Sequence, residues 1–294
     1  MSRKWYKDIL TWTEGDEAMI SVVFSWQLQE AYQCAIRYKS EGFKVLVGGP
    51  AAYMNPSLFN GIATIVEGED IIWWYNPEAT FTSRGCVRKC PFCIVPKIEG
   101  DLVELKDWPV RPVVCDNNLL ACSQTHFDRV IDKLKPLHGV DFNQGLDARL
   151  MTDHHVDRLR ELDLYRVRLA WDFTKMEKHF MAAYERLRKV GIPKSRISVY
   201  VLIGFGDTPT DALYRLQTVR ELGVYSNPMR YQPIDTPKRN SYVHPNWTNG
   251  ELIRYMRYWA NLRWTAGVPF DEFEYPSPPK DLRIKSTRRT NANT

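Results

Sequence analysis

The sequence predicts an α/β fold, a partial (β/α)6 barrel of parallel strands preceded by a small βαβ segment. One observation is an alternation of elements. Strand-sized apolar runs at 79–83, 112–115, 140–142, 165–170, 197–203 and 228–231 interleave with helical spacing at 124–134, 153–162, 175–190 and 209–222. A second is that these runs end in small or polar residues, at the edge where parallel β/α folds place their ligands. The third is chemical. Cys86, Cys90 and Cys93 follow the first of the runs with C-x3-C-x2-C spacing.

Residues 1–18 are aromatic and mixed in charge (Trp5, Tyr6, Trp12) and read as an irregular arm packed on the body. The run at 19–24 reads as a buried strand. Residues 27–41 have helical spacing, with Leu28, Ala31, Cys34, Ala35 and Tyr38 on one face and Gly42 as the stop. A second strand at 43–47 ends in Gly48, Gly49 and Pro50, which completes a βαβ crossover. In the barrel region, Phe127, Val130, Ile131 and Leu134 form the inward face of one helix, and Thr152 is the expected cap of the next. A last amphipathic helix is expected at 249–265. The chain therefore divides into an N-terminal segment 1–77, a barrel 78–236 and a helix plus basic tail 237–294.

Composition narrows the class. A hydrophobic content of 44% in 294 residues supports a sizeable core. No apolar run reaches membrane-spanning length, and the N-terminus lacks the apolar stretch of a signal peptide, so no membrane partner is expected. Cysteines clustered without an export signal point to a reducing cytoplasm. Of the net charge of +5, the last fifteen residues carry +4, through Lys280, Arg283, Lys285, Arg288 and Arg289 against Asp281. The body is then close to neutral, unlike a strongly basic nucleic-acid binder. The tail reads as a solvated end, and nucleic-acid contact through it is the weaker expectation.

Thiolates this close together suit a soft metal centre, and iron–sulfur cubanes take four. Three thiolates leave one iron with an open position, which chemistry on a metal requires. A structural zinc site is the alternative. It would need paired ligands, and Cys34, Cys115, Cys122, His126 and His138 do not supply a second pair.

The stretch Cys86-Val87-Arg88-Lys89-Cys90-Pro91-Phe92-Cys93 resembles the signature of radical S-adenosylmethionine (SAM) enzymes, C-x3-C-x-aromatic-C. The resemblance implies a [4Fe–4S] cluster on Cys86, Cys90 and Cys93, with SAM on the open iron. It further implies reductive cleavage of SAM to a 5′-deoxyadenosyl radical, hydrogen abstraction from a substrate, and a flavodoxin- or ferredoxin-type electron donor. Phe92 corresponds to the aromatic residue beside the adenine. Asp116, Asn117 and Asn118 stand where many members hold the SAM amino group. Gln144 and Asp147 stand at the ribose position, and Gly204, Gly206 and Asp207 resemble the glycine-containing adenine motif. Arg168 and Asp172 are candidates for the SAM carboxylate, the substrate or an ion pair. Gln232 and Asp235 are candidates for adenine or substrate.

Two further likenesses are local. Residues 19–50 and the Gly-Glu stretch at 65–69 resemble the cobalamin-binding domain that precedes many radical SAM barrels. No histidine precedes His126, so the cobalamin-ligating motif is missing and cobalamin is not expected. The run Cys93-Ile94-Val95-Pro96 resembles methylthiotransferases, whose second set of three cysteines and C-terminal RNA-binding barrel have no counterpart here. The primary expectation is thus a radical SAM enzyme of unidentified substrate. The alternatives are a methylthiotransferase-like RNA-modifying enzyme, or a non-catalytic metal-containing module that binds nucleic acid.

Overall fold

The computed structural model describes residues 5–66, 71–236, 238–261 and 267–274. A small sheet comes first. Strands β1 (Leu10–Glu14) and β2 (Glu17–Ser21) form an antiparallel hairpin, so the expected irregular arm contains a strand. Its alternation of Trp12 with threonines fits a half-exposed edge, a weak signal in so short a run. Helix α1 (Leu28–Ser40) crosses to β3 (Lys44–Gly48), which pairs parallel with β2. Helix α2 (Pro50–Met54) leads to β4 (Thr64–Ile65), which completes the order β1-β2-β3-β4. The expected βαβ crossover is present. The Gly-Glu stretch that follows lies outside the described residues.

Helix α3 (Ile72–Tyr75) links this sheet to the second one. There β5 (Ala79–Thr80) is shorter than the strand expected at 79–83. The chain turns at Phe81–Thr82, and β6 (Ser83–Arg84) pairs antiparallel with β7 (Val103–Glu104) around the cysteine loop, which contains α4 (Val95–Ile98). The sheet continues with β8 (Val113–Val114), α5 (Gln124–Leu134), β9 (Val140–Phe142), α6 (Asp153–Leu159), β10 (Leu164–Ala170), α7 (Glu177–Lys189), β11 (Ile197–Ile203), α8 (Pro209–Glu221) and β12 (Tyr225–Arg230). All six sheet strands are parallel, in the order β5-β8-β9-β10-β11-β12, and no bond joins the two edges. The fold is therefore a mixed α/β structure around an open six-stranded parallel sheet. Helix α9 (Asn249–Trp259) packs beside β12 and ends short of the expected 249–265; residues 262–266 lie outside the description. No helix among the described residues is long and apolar enough to cross a membrane.

Three of the helices begin with a threonine cap closed by a reciprocal side chain: Thr152 with His155, Thr208 with Asp211 and Thr248 with Glu251. Each pair satisfies two amide donors that a helix start leaves without partners. The main core lies between the helices and one face of the large sheet, with Phe127, Phe142, Trp171, Phe180, Val199 and Leu216 among its buried members. On the opposite face Ala79, Val113 and Cys115 are covered by Trp5 and Ile72, and Tyr75 donates its hydroxyl to the Ser21 carbonyl at 3.0 Å. These contacts tie the small sheet to the β5 end of the large one.

Candidate functional site

The cysteine loop leaves the sheet at its β5 end and is closed at the neck. The Cys86 amide donates to the Gly100 carbonyl at 3.3 Å, and the Gly85 amide donates to Glu99 Oε2 at 2.9 Å. Glu99 also accepts from Asn117 Nδ2 at 2.7 Å and pairs with Arg84 at 3.1 Å. Gly85 has φ 71°, and a Cβ there would lie 2.0 Å from the Asp101 carbonyl oxygen. Only glycine satisfies both the left-handed backbone and that approach.

Beneath the loop runs a chain of hydrogen bonds. Arg129 donates to His126 Nδ1 at 2.9 Å, which leaves Nε2 protonated to donate to Thr82 Oγ1 at 3.3 Å. The Thr82 hydroxyl donates in turn to Asp116, which also accepts from the Thr82 amide at 2.6 Å and the Ser83 hydroxyl at 2.9 Å. Asp116 is thus occupied in anchoring the strand that leads into the cysteines. The trio expected to meet SAM divides: Asp116 anchors, Asn117 holds Glu99, and only Asn118 faces the thiols.

Cys86, Cys90 and Cys93 are free, half-buried thiols. The Arg88 amide and Asn118 Nδ2 both point at Cys86 Sγ, at 3.3 and 3.5 Å. Burial pushes the Cys93 thiol up, and the neighbouring Cys90, Cys86 and Asp172 add to this. The Asp147 carboxylate accepts from Arg149 Nε and NH2 at 2.7 and 2.9 Å, from Arg88 Nε at 3.1 Å and from Asn118 at 3.5 Å. Burial raises its pKa, but the Arg149 and Arg88 interactions outweigh this and hold it below the ordinary carboxylate value. Arg149 also interacts with Cys90. Two guanidinium groups thus converge on one carboxylate beside the thiols. Arg88, Arg149 and Glu99 were not singled out in the sequence, where nothing but their nearness to the cysteines or to Asp147 marks them.

Asp172 follows β10 by two residues, close to Cys93, Arg149 and Asp147; burial raises its pKa to about 6, against the pull of Arg149 and Arg215. Phe92 joins a row of aromatic rings along the same sheet edge. It lies 5.7 Å from both Phe173 and Phe205; Phe205 lies 4.6 Å from Tyr231, and Tyr231 lies 5.2 Å from Tyr242. Phe173 and Tyr242 have no signal in the sequence beyond following a strand or a turn.

Other expected contacts are engaged elsewhere. Arg168 pairs with Asp141 on the neighbouring strand, so the ion pair is the role it has. Asp207 accepts from the Gly204 and Phe205 amides at 2.9 and 3.1 Å, from Trp247 Nε1 at 3.1 Å and from Arg215 at 2.6 Å. Arg215, fully buried, also donates to the Trp171, Asp172 and Leu202 carbonyls. This pair stitches the ends of β10 and β11 to α8. The sequence hides Arg215, because it stands where helical spacing expects an apolar residue. Gly204 has φ 82°, and a Cβ there would meet Leu252 of α9 at 3.0 Å. Its small size thus serves helix packing. Gln232 bonds to Lys238 and Asn240 of the next turn, whereas Gln144 and Asp235 are exposed. The basic tail at 280–289 lies outside the described residues.

Among the described residues no group of three or more His, Cys, Asp or Glu side chains is gathered to hold a metal ion. A four-iron cubane spaces its thiolates more widely than a single tetrahedral ion does. The donor set, three half-buried thiols with an amide N–H and Asn118 Nδ2 directed at one sulfur, has the chemistry a cluster takes. Asn118 is 3% exposed, and its Oδ1 is buried without a partner among the described residues. A buried acceptor in that state costs about 1–3 kcal/mol unless something donates to it. A donor placed beside the Cys86 thiol would do so.

No protein-family model matches this chain, and no curated protein matches it.

Proposed function

We propose that this protein is a radical SAM enzyme, and that the six-stranded sheet is the partial barrel of that class. The observation that carries the proposal is the placement of Cys86, Cys90 and Cys93 on one necked loop at the carboxyl edge of a parallel sheet, beside the unpartnered Asn118 Oδ1. Cys86, Cys90 and Cys93 would hold a [4Fe–4S] cluster. When bound and given one electron by a flavodoxin- or ferredoxin-type donor, the cluster would supply the reductive cleavage of SAM to methionine and a 5′-deoxyadenosyl radical able to take hydrogen from the substrate.

The chain's own residues do the rest. Asn118 accepts from the SAM ammonium and keeps its Nδ2 on Cys86. Arg88 and Arg149 balance the negative charge of the thiolates, and Asp147 aligns both guanidinium groups. Phe92, Phe173 and Phe205 exclude water from the loop and offer ring faces to the adenine. Glu99 and Gly85 fix the neck so that the three thiols move as one unit.

The test is anaerobic reconstitution with iron and sulfide, followed by SAM and dithionite, with 5′-deoxyadenosine measured by mass spectrometry. The wild type is expected to load iron–sulfur and to release 5′-deoxyadenosine. Cys86→Ala, Cys90→Ala and Cys93→Ala should each abolish both. Zinc in place of iron, or full cleavage by any of these variants, would overturn the proposal. A cluster that loads and never yields 5′-deoxyadenosine, with or without candidate substrates, would favour the metal-containing binding module.

A further inference from the structure

The face of the large sheet opposite the helices is polar over its middle. Strand register places Asp141 beside Arg166, Arg168 beside Ser198 and Ser198 beside Tyr225, all on that face, with Tyr200 and Asn227 one step higher. Arg166 alternates with the core residues Val167 and Leu169 and so shares the face of Arg168; the bulge in β10 between Leu164 and Arg166 lets Leu164 join the core despite its even spacing from Arg166 and Arg168. Two arginines stand here against one aspartate.

Arg168 is matched by Asp141. Arg166 has no carboxylate partner among the described residues. Its guanidinium lies 4.6 Å from the Tyr225 ring and 5.4 Å from the Tyr165 ring, and its Nε is buried with nothing to donate to. Ser198, 0% exposed, likewise has an Oγ without a partner. Buried donors left unmade are costly, and these two lie beside an uncompensated positive charge. The face is open at its edge strand β12, where Tyr225 is 55% and Met229 is 49% exposed.

We propose that this polar face is a binding site for a phosphate or carboxylate group, held by Arg166 and Ser198, and that the group belongs to the substrate of the reaction at the strand ends. A guanidinium stacked on tyrosine and lacking a partner presents its fork to two oxygens of an oxyanion. The substrate assignment rests on the radical SAM reading; the anion site does not. Arg166 lies near the start of β10 and Asp172 two residues beyond its end, about 20 Å apart at the usual extended rise. The substrate is therefore elongated, with its acidic end far from the reacting carbon.

The test is calorimetric titration of the iron-free full chain with inorganic phosphate and, separately, with succinate. Saturable, salt-sensitive binding of at least one is expected, and the tighter of the two names the group. Arg166→Gln should weaken it by about tenfold. Ser198→Ala should weaken it less, and Arg37→Gln, on an exposed helix face, should leave it unchanged. Cooperative unfolding of each variant checks its fold, and Ser198→Ala keeps the test decisive if Arg166→Gln does not fold. Absence of binding by the wild type, or wild-type binding by both site variants, overturns the inference. If 5′-deoxyadenosine forms but no anion binds, this inference alone fails. If an anion binds at Arg166 but SAM is never cleaved, the site stands and the substrate assignment falls.

Discussion

Arg129, His126, Thr82 and Asp116 form one directed relay of hydrogen bonds, and its polarity depends on a neutral imidazole. Burial, together with the charge of Arg129, lowers the His126 pKa; Glu104 opposes this and does not win. The unfolded chain therefore takes up a proton first as pH falls below the ordinary imidazole value of about 6.5, and stability is lost from there down through the folded value. Above that pH the contribution is fully present. Urea unfolding at pH 7.5 and pH 5.5 should show lower stability at the acid value, and His126→Asn should reduce the difference. At the neck of the loop Gly85 is equally constrained. Gly85→Ala should cost about 1–3 kcal/mol and lower the iron bound per chain, read by metal analysis after reconstitution. Both residues lie beneath or beside the thiols, so each effect reaches the site through the loop's position.

At the level of elements, the ends of β10 and β11 are held by a helix. Arg215 of α8, itself fully buried, donates to three carbonyls at those strand ends and to Asp207. Removing one member of such a buried pair leaves a charge with no compensation, which costs about 3–5 kcal/mol. Arg215→Met should destabilise the protein by about that amount in urea unfolding and free the loop that carries Asp172 and Phe173. Strand and helix existence is legible here because 197–203 and 209–222 carry their periods almost without interruption. The roles of Asp207 and Gly204 are not legible. An acid after a glycine-rich turn has the same sequence whether it meets a ligand or, as here, Arg215 and Trp247.

At the scale of the whole molecule, two sheets share an apolar junction. Ala79, Val113 and Cys115 are covered by Trp5 and Ile72, with Tyr75 bonded to Ser21. A chain lacking residues 1–77 should expose that patch, bind a hydrophobic dye and lose a single cooperative transition in thermal unfolding. The same junction leaves the other end of the polar face open at β12, where the proposed anion site lies. Its residues were not foreseen as a group apart from Arg168. Arg166 alternates with Val167 and Leu169 and so faces away from the core, but which partners it finds there is set by the strands on either side.

Local pattern alone determined the order of strands and helices from residue 112 to 231, the Thr152 cap and the three-cysteine loop, because each depends on residues within a few positions of one another. Tertiary structure decided which polar residues are available to a ligand. Asp116, Asn117, Arg168 and Asp207 have partners 18 or more residues away or in a neighbouring element, whereas Asn118 keeps a buried oxygen with no partner among the described residues. A carboxylate or amide satisfies its hydrogen bonds with whatever folding brings near, and that neighbour is set by packing across the sheet.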